Sequence, residues 1–539
     1  MPIANQTLSI DNFSAGLNLR DDELSLLDGE TSFAENFEAV KKLGLVKKKG
    51  FEKSFDLPPD FYIDEVFNYT HTDGTHRFIA IAYPEILSID PDNGNYKIIY
   101  SGLVNTGEPY GFEADGQFFY CDGANNPLVI NAETVSTVTW PPSYTRQNST
   151  EGTLDESYLA TASNPSATGV GYPSFGVWHK NRVFLAGDEL NPRRVYASLI
   201  SDIDNFSSNS DSFNIAFFLD MPSESPITAL KVISNENLVV YAEREILLMS
   251  GSNPPGLNFP QPHISVTTLS PEVGALGPRL VVSKGNNDHY FVSDRGRVFQ
   301  LSLTENFQQV KPLGLSEKIF PVFESLSNET LARGRLVNYQ LKGELQYLFP
   351  STNQKRYPDQ RYTLNYNDRE APSWSKDTGW TDSIRSTLIN REDKRLYYIN
   401  GNEFLDADKG NNYNGDAIPF EYQIRTLDFG DASLGKEVTN VTIYARSDTG
   451  ATVTLQHFWE NGQSGLHKFT IPGSEVKNFG DADFGVDIFT SSVGKPFSKV
   501  SFQINNPSGK IFKSRLYHNS TTEDLTISKV VFDYTVLGK

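Results

Sequence analysis

Cysteine is nearly absent from this chain: Cys121 is the only one in 539 residues. No intrachain disulfide can form, so a small secreted fold held by disulfide staples is excluded, and so is a thiolate zinc cluster. Methionine is also scarce, with three residues, and the eight histidines (71, 76, 179, 263, 289, 457, 467 and 518) are dispersed. There is no His-Glu-x-x-His, no Gly-x-Ser-x-Gly and no Gly-x-x-x-x-Gly-Lys-Ser/Thr. Long apolar runs are missing as well. Ile246–Met249 is among the longest, far short of a membrane span. The start, MPIANQTLSIDNF, lacks a basic region followed by an apolar core. These absences point to folding in a cytoplasm, without a secretory leader.

What the chain has in quantity is 36 Phe, 25 Tyr, 40 Gly and 29 Pro. Aromatic residues favour strands, and glycine and proline punctuate turns, so the expected fold class is all-β with short strands. Lys plus Arg number 47 and Asp plus Glu 67, giving 47 − 67 = −20. Such a surface repels phosphate backbones, so specific nucleic-acid binding is not expected.

Between about residues 55 and 414 the chain repeats a cadence of strand, turn and strand. In 76–100, Asp92-Asn93-Gly94 marks a hairpin. Asp115-Gly116 and Asp122-Gly123 punctuate 111–140, and Lys180-Asn181 divides 174–198. Residues 227–251 turn near Asn235 and Glu243, and 280–302 turn at Gly285-Asn286 and Arg295-Gly296. Units near 331–366 and 383–404 follow. About seven units, within a range of roughly six to eight, each with three or four strands, is the cadence of a β-propeller. Closing small sheets into a ring covers faces and edges that none could cover alone. Two stacked β-sandwiches would use the same strands and turns. Residues 141–174, polar and without period, read as an irregular arm. From residue 415 to 539 the strands lengthen into a β-sandwich of about seven strands. It contains an expected hairpin at Asp448-Thr449-Gly450, and FGDASLG (429–435) echoes as FGDADFG (479–485).

Candidate chemistry is thin. Asp406, Asp408 and Asn412 share a loop with Gly410, but position 417 is Ala where a bidentate calcium ligand would fall, so a polar interdomain loop is expected. Ser293–Gly296 and Ser375–Trp380 are suggestive of sialidase-type turns without completing their spacing. His71 and His76 flank a turn and read as solvated. Trp459 and His457 mark a possible sugar-binding face, although a core Trp is the plainer role. No catalytic, cofactor or metal residues are assigned. The one basic patch, Lys41, Lys42, Lys47, Lys48 and Lys49, reads either as lysines guarding an edge strand or as an electrostatic contact with an acidic neighbouring subunit.

The opening stretch, 12–51, carries Phe13, Gly16, Leu17 and Asn18, then Leu27-Asp28-Gly29-Glu30, Glu35-Asn36 and a basic run ending at Gly50. This pattern resembles the start of the tail nozzle (tail tube hub) proteins of short-tailed phages. The Leu-Asp-Phe-Gly-Asp corner at 427–431, preceding Val438–Tyr444, is a second point of similarity. The resemblance implies a structural virion protein rather than an enzyme, forming a homo-oligomeric ring, usually hexameric, below the adaptor of the head–tail connector. It further implies a platform for tail fibres and a conduit that genomic DNA traverses without specific binding. The location implied is the virion tail, after synthesis in the host bacterium. A glycan-degrading or glycan-binding propeller is the alternative, which an arginine or carboxylate cluster at the ring centre would favour. Within the opening stretch, Thr31 or Ser32 is expected to start a short helix. Residues 12–36 are expected to dock, and Leu43–Phe51 to close the ring.

Overall fold

The computed structural model describes residues 5–40, 44–104, 107–140, 170–207, 216–253, 263–285, 287–302, 313–366, 372–380, 383–473, 497–504 and 508–537. Five four-stranded antiparallel sheets, at 65–101, 110–137, 175–220, 227–270 and 281–314, are followed by a four-stranded unit at 335–377 and a three-stranded one at 386–407 that lie in one larger sheet. The innermost strands are Glu65–Thr70, Tyr110–Ala114, Phe175–His179, Ile227–Ser234, Val281–Ser283, Arg335–Tyr339 and Ser386–Ile389. Each lies against the next, and the seventh lies against the first. The arrangement is a closed seven-bladed β-propeller, and its blades coincide with the seven units legible in the sequence.

The turns follow their residue types. Lys180 and Asn181 take φ of 50° and 59°, and Asp115-Gly116 takes 49° and 74°. Two consecutive left-handed residues make the type I′ geometry that matches strand twist. Blades 2 and 3 end their second strands on a buried aspartate. Asp122 accepts hydrogen bonds from the Ala124 and Asn125 backbone and from the Tyr83 and Tyr120 hydroxyls. Asp188 does the same for the Gly171 and Leu190 amides and the Tyr196 hydroxyl. Each carboxylate thereby ties a loop to its own sheet.

Blade 7 has only three strands of its own. Its outer strand is Phe51–Asp56, which pairs antiparallel with Glu403–Ala407. Phe51 stacks on Tyr413 with centroids 4.9 Å apart, and Phe55 on Phe404 at 4.4 Å. The ring is therefore closed by the N-terminal region, but not by Leu43–Phe51 as the sequence suggested. Gly44–Lys47 belongs to the sandwich, where it pairs with Phe37–Val40 and with Thr526 and Ile527. The strand that reaches blade 7 is the one carrying two phenylalanines for its core.

The sandwich has one sheet built on Lys436–Arg446, Ser498–Gln503 and Thr526–Val536, extended by the N-terminal Asn5–Ile10, Phe37–Val40 and Gly44–Lys47. The other holds Asp416–Leu427, Phe512–Ser520, Ala451–Trp459 and Ser464–Ile471. Burial alternates along Ala451–Trp459 without a break, so every second residue faces the core. Ile424, Val441, Ile443, Val453, Leu455, Leu516 and Phe532 fill the space between. Asp448-Thr449-Gly450 is a corner between the two sheets and not a hairpin, since its flanking strands pair with different partners. Asp524 Oδ1 holds that corner by accepting from Ser447 Oγ and the Asp448 amide at 3.0 and 2.9 Å. FGDASLG likewise lies between strands of opposite sheets. Its echo at 479–485, and the arm at 141–174 up to residue 169, lie outside the described residues.

Candidate functional site at the mouth of the propeller axis

Phe13, Gly16, Leu17, Asn18, Glu35 and Asn36 of the N-terminal pattern sit at the seam between sandwich and propeller. Phe13 enters the sandwich core edge-on to Tyr422, with ring centroids 5.7 Å apart. Four residues later Leu17 is buried in the core of blade 6 beside Trp374. Gly16 turns the chain between them with φ 71°, and a Cβ there would lie 2.7 Å from the Trp374 carbonyl oxygen. Only glycine fits that backbone and that approach. Asn18 donates to Asp21 and to the buried Glu30, whose carboxylate also pairs with Lys318 Nζ at 2.9 Å. Thr31 does not start a helix. It lies in the two-residue strand Glu30–Thr31, with Oγ1 donating to the Gln423 carbonyl at 2.6 Å.

Ala34–Glu35 bridges the outer strand of blade 6 to the sandwich strand Asp416–Leu427. Asn36, at φ 58°, completes the knot. Its Nδ2 donates to Pro419 O at 2.7 Å, and its Oδ1 accepts from the Thr378 amide and the Tyr413 hydroxyl. Gly50 lets the chain pass Asn412, where a Cβ would meet the carbonyl oxygen at 1.6 Å.

The basic run is used inside the chain. Lys47 and Lys48 are buried; Lys49 is exposed. Lys47 Nζ donates to the Ser520 and Glu523 carbonyls, both at 2.9 Å, and burial brings its pKa down to about 8. Lys48 Nζ meets Asp377 at 2.8 Å, where Arg361 Nε also arrives at 2.8 Å. Burial opposes ionisation of Asp377, but Lys48 and Arg361 outweigh it and hold its pKa below the usual carboxylate range. Lys49 reaches Asn411 at 3.0 Å. Lys47 and Lys48 therefore neither guard an open edge nor face a neighbouring subunit. Internal carbonyls and a buried carboxylate had claimed them, which no local pattern reveals. Lys41 and Lys42 lie outside the described residues.

The remaining sequence candidates disperse. Asp406 pairs with Lys409 and Arg395, Asp408 with Lys342, and Asn412 donates to Thr521 O. Among the described residues no group of three or more His, Cys, Asp or Glu is placed to hold a metal ion. His76 is buried and not solvated as expected, bonding Asn68 at 3.0 Å, and His71 lies tilted against Tyr69 with ring centroids 4.7 Å apart. Asp294 bonds Ser293, and the Arg295 amide bonds Asn328. Trp459 and His457 are both buried, against Phe512 in the sandwich core.

The centre of the ring, where an arginine or carboxylate cluster would favour the glycan alternative, does hold such a cluster, built from residues that the sequence did not single out. A cavity of about 700 Å³ opens where the inner strands begin, and all seven blades contribute to its wall. Its floor is ionic. Glu65, the first residue of the first inner strand, receives Arg335 Nη1 at 2.8 and 2.5 Å and Arg279 Nε at 2.9 Å. Ser386 Oγ donates to the same carboxylate and accepts from the Val66 amide at 3.2 Å. One buried glutamate thus ties blades 1, 6 and 7 to the loop entering blade 5, across the axis. Burial pulls the pKa of Arg335 below its usual value, with Glu65 opposing. For Arg279 burial acts in the same sense, but Glu65 and Glu108 outweigh it and the pKa is raised. Around this floor stand Arg333, Arg356 and Arg385. Arg385 Nη1 meets Asp64 Oδ1 at 3.2 Å, and its guanidinium lies 4.0 and 4.2 Å from the ring centroids of Tyr62 and Tyr357. The arginines come from loops and strand starts in three blades, far apart in sequence, so only ring closure assembles them.

The fold and its centre define the class: a seven-bladed propeller bonded to a β-sandwich, with an arginine-rich axial mouth. No family model matches the chain, and no curated protein does. Among solved structures, one titled "Crystal Structure of Mitotic Checkpoint Complex" is similar at 8% identity and a TM-score of 0.38, covering 69% of this chain and 97% of that one.

Proposed function

We propose that the chain is a structural subunit of a short phage tail, a nozzle or hub that assembles into a ring beneath the adaptor and carries fibres. The observation that carries this reading is the seam. Phe13, Gly16, Leu17, Asn18, Glu35 and Asn36, the residues of the family-like pattern, bond the sandwich to blades 6 and 7. A tail part that transmits force needs domains that do not hinge, and this seam replaces a linker with a continuous hydrogen-bonded path from blade 6 through the sandwich to blade 7.

The net charge of −20 suits a wall that DNA passes without adhering. The propeller axis is not that passage, because the Glu65 ion pairs span it; the conduit in this reading is the lumen of the assembled ring. Light scattering and cryo-electron microscopy of the protein, alone and with an adaptor ring, test the proposal. A closed ring with an acidic lumen is expected. A chain that stays monomeric in both conditions overturns it.

A further inference from the structure

The axial mouth holds more positive charge than the chain around it. Five arginines face it, Arg279, Arg333, Arg335, Arg356 and Arg385. The carboxylates they meet are Asp64, Glu65, Glu108 and Glu329, so the mouth carries 5 − 4 = +1 within a chain of net −20.

Those carboxylates are of two kinds. Glu65 and Asp64 are held in the floor, with side chains 4% and 18% exposed. Glu108 and Glu329 stand at the rim, with side chains 74% and 81% exposed. Their partners Arg279 and Arg333 are only 17% and 32% exposed. An ion pair with one freely solvated member is weak and exchanges readily. Arg356 meets no carboxylate among the described residues and lies over the Tyr357 ring at 5.3 Å. The mouth therefore presents fixed guanidinium groups whose rim partners can be displaced by another carboxylate.

The shape restricts what can bring that carboxylate. The cavity is walled by residues of all seven blades around a space of about 700 Å³, which suits a compact group or a chain end better than an extended strand. Tyr110, Pro109, Pro278 and Pro358 add apolar surface to its wall, which suits the C–H face of a pyranose ring, while the Tyr357 ring is taken by Arg356 and Arg385. We propose that the mouth binds an acidic sugar, a uronic-acid-type residue at the end of a glycan. Its carboxylate bonds Arg333 and Arg356 in place of Glu329, and its ring packs on the tyrosine and proline faces. The site is a binding site; no bond is made or broken there.

Calorimetry and saturation-transfer NMR on the full chain test this with D-glucuronic acid and a galacturonic acid trisaccharide as probes. Glucose, acetate and a tetraglutamate peptide serve as comparisons. The uronates are expected to bind, and the three comparisons are not. Arg333→Ala and Arg356→Ala, both at the rim, should each weaken uronate binding about ten-fold, the usual scale for a charge-assisted contact. Glu329→Gln should tighten it about two- to five-fold by removing the competitor, and Glu108→Gln by removing a second negative charge from the rim. The glutamine variants keep size and fold, so they report on competition where the alanine variants alone would not. Absence of uronate binding, equal binding of acetate or the peptide, or glutamine variants that bind no tighter would each overturn the proposal. None of these outcomes bears on ring assembly.

Discussion

Replacing Phe51 by alanine tests whether the N-terminal strand closes the propeller. Phe51 is 5% exposed and contacts three rings: Tyr413 at 4.9 Å, Tyr398 at 5.8 Å and Trp380 at 6.5 Å. Truncating a phenylalanine in such a setting costs about 3–5 kcal/mol. That is comparable with a large part of the roughly 5–15 kcal/mol that holds a typical domain. The loss should fall first on the outer strand of blade 7, which is otherwise secured by its ladder to Glu403–Ala407 and by the half-buried Phe55. Hydrogen exchange followed by mass spectrometry separates this from general weakening. Amides of Leu396–Asn400 and Glu403–Ala407 should exchange roughly a hundred-fold faster or more, from about 1.4 kcal/mol per decade, with blade 3 (175–220) changed much less. Phe55→Ala should show the same pattern at smaller amplitude. If F51A costs less than about 1 kcal/mol, well under the range for a buried ring, or if blades 3 and 7 accelerate alike, the closing strand has been misassigned.

Other perturbations follow from the buried charges. Removing Glu65 as Glu65→Leu should cost about 3–5 kcal/mol, since Arg335 is left buried and unpaired, whereas Glu65→Leu with Arg335→Met should recover most of it; chemical denaturation measures both. Asp377 has a depressed pKa, so its contribution is present above the unfolded carboxyl value and lost as pH falls through the folded one. Lys48→Met raises that folded value and should move the acid-unfolding midpoint to higher pH. His289 is buried between the Tyr241 hydroxyl (2.9 Å) and the Val232 carbonyl (3.0 Å), and burial lowers its pKa to about 4. Because the unfolded ring takes up a proton near 6.5 while the folded one resists it, stability should fall as pH drops from about 6.5 to 4. The slope of stability against pH over that window should be shallower in His289→Gln.

Much of the architecture was legible because it is local. A turn such as Lys180-Asn181 or Asp115-Gly116 declares itself by residue type, and the strand Ala451–Trp459 by strict alternation. About seven units, within a range of roughly six to eight, are therefore legible from the sequence alone. The errors share one physical origin, which is long-range pairing. Lys47 and Lys48 looked like surface charge because the groups that claim them, Ser520, Glu523 and Asp377, lie more than three hundred residues away. Thr31 looked like a helix cap because its acceptor, the Gln423 carbonyl, is equally remote. Asp448-Thr449-Gly450 has hairpin chemistry, but Asp524 turns it into a corner. The axial arginines escaped notice for the same reason, since Arg279, Arg335 and Arg385 become neighbours only when seven blades close.

The pairing of Asn5–Ile10 with Thr526–Val536 also orders events in time. A ribosome adding roughly 5–20 residues per second spends on the order of a minute between the two partners. During that interval blades 1 to 6 can form from contiguous sequence, while Asn5–Ile10 has no edge to join and Phe51–Asp56, already made, waits for the rest of blade 7. The ladder at blade 7 must therefore wait for Glu403–Ala407 and that of Asn5–Ile10 for Thr526–Val536, so the loop-closure cost of both long-range contacts falls late. A nascent chain spends that interval with open β edges, the state in which pairing with another copy competes most strongly with pairing at home.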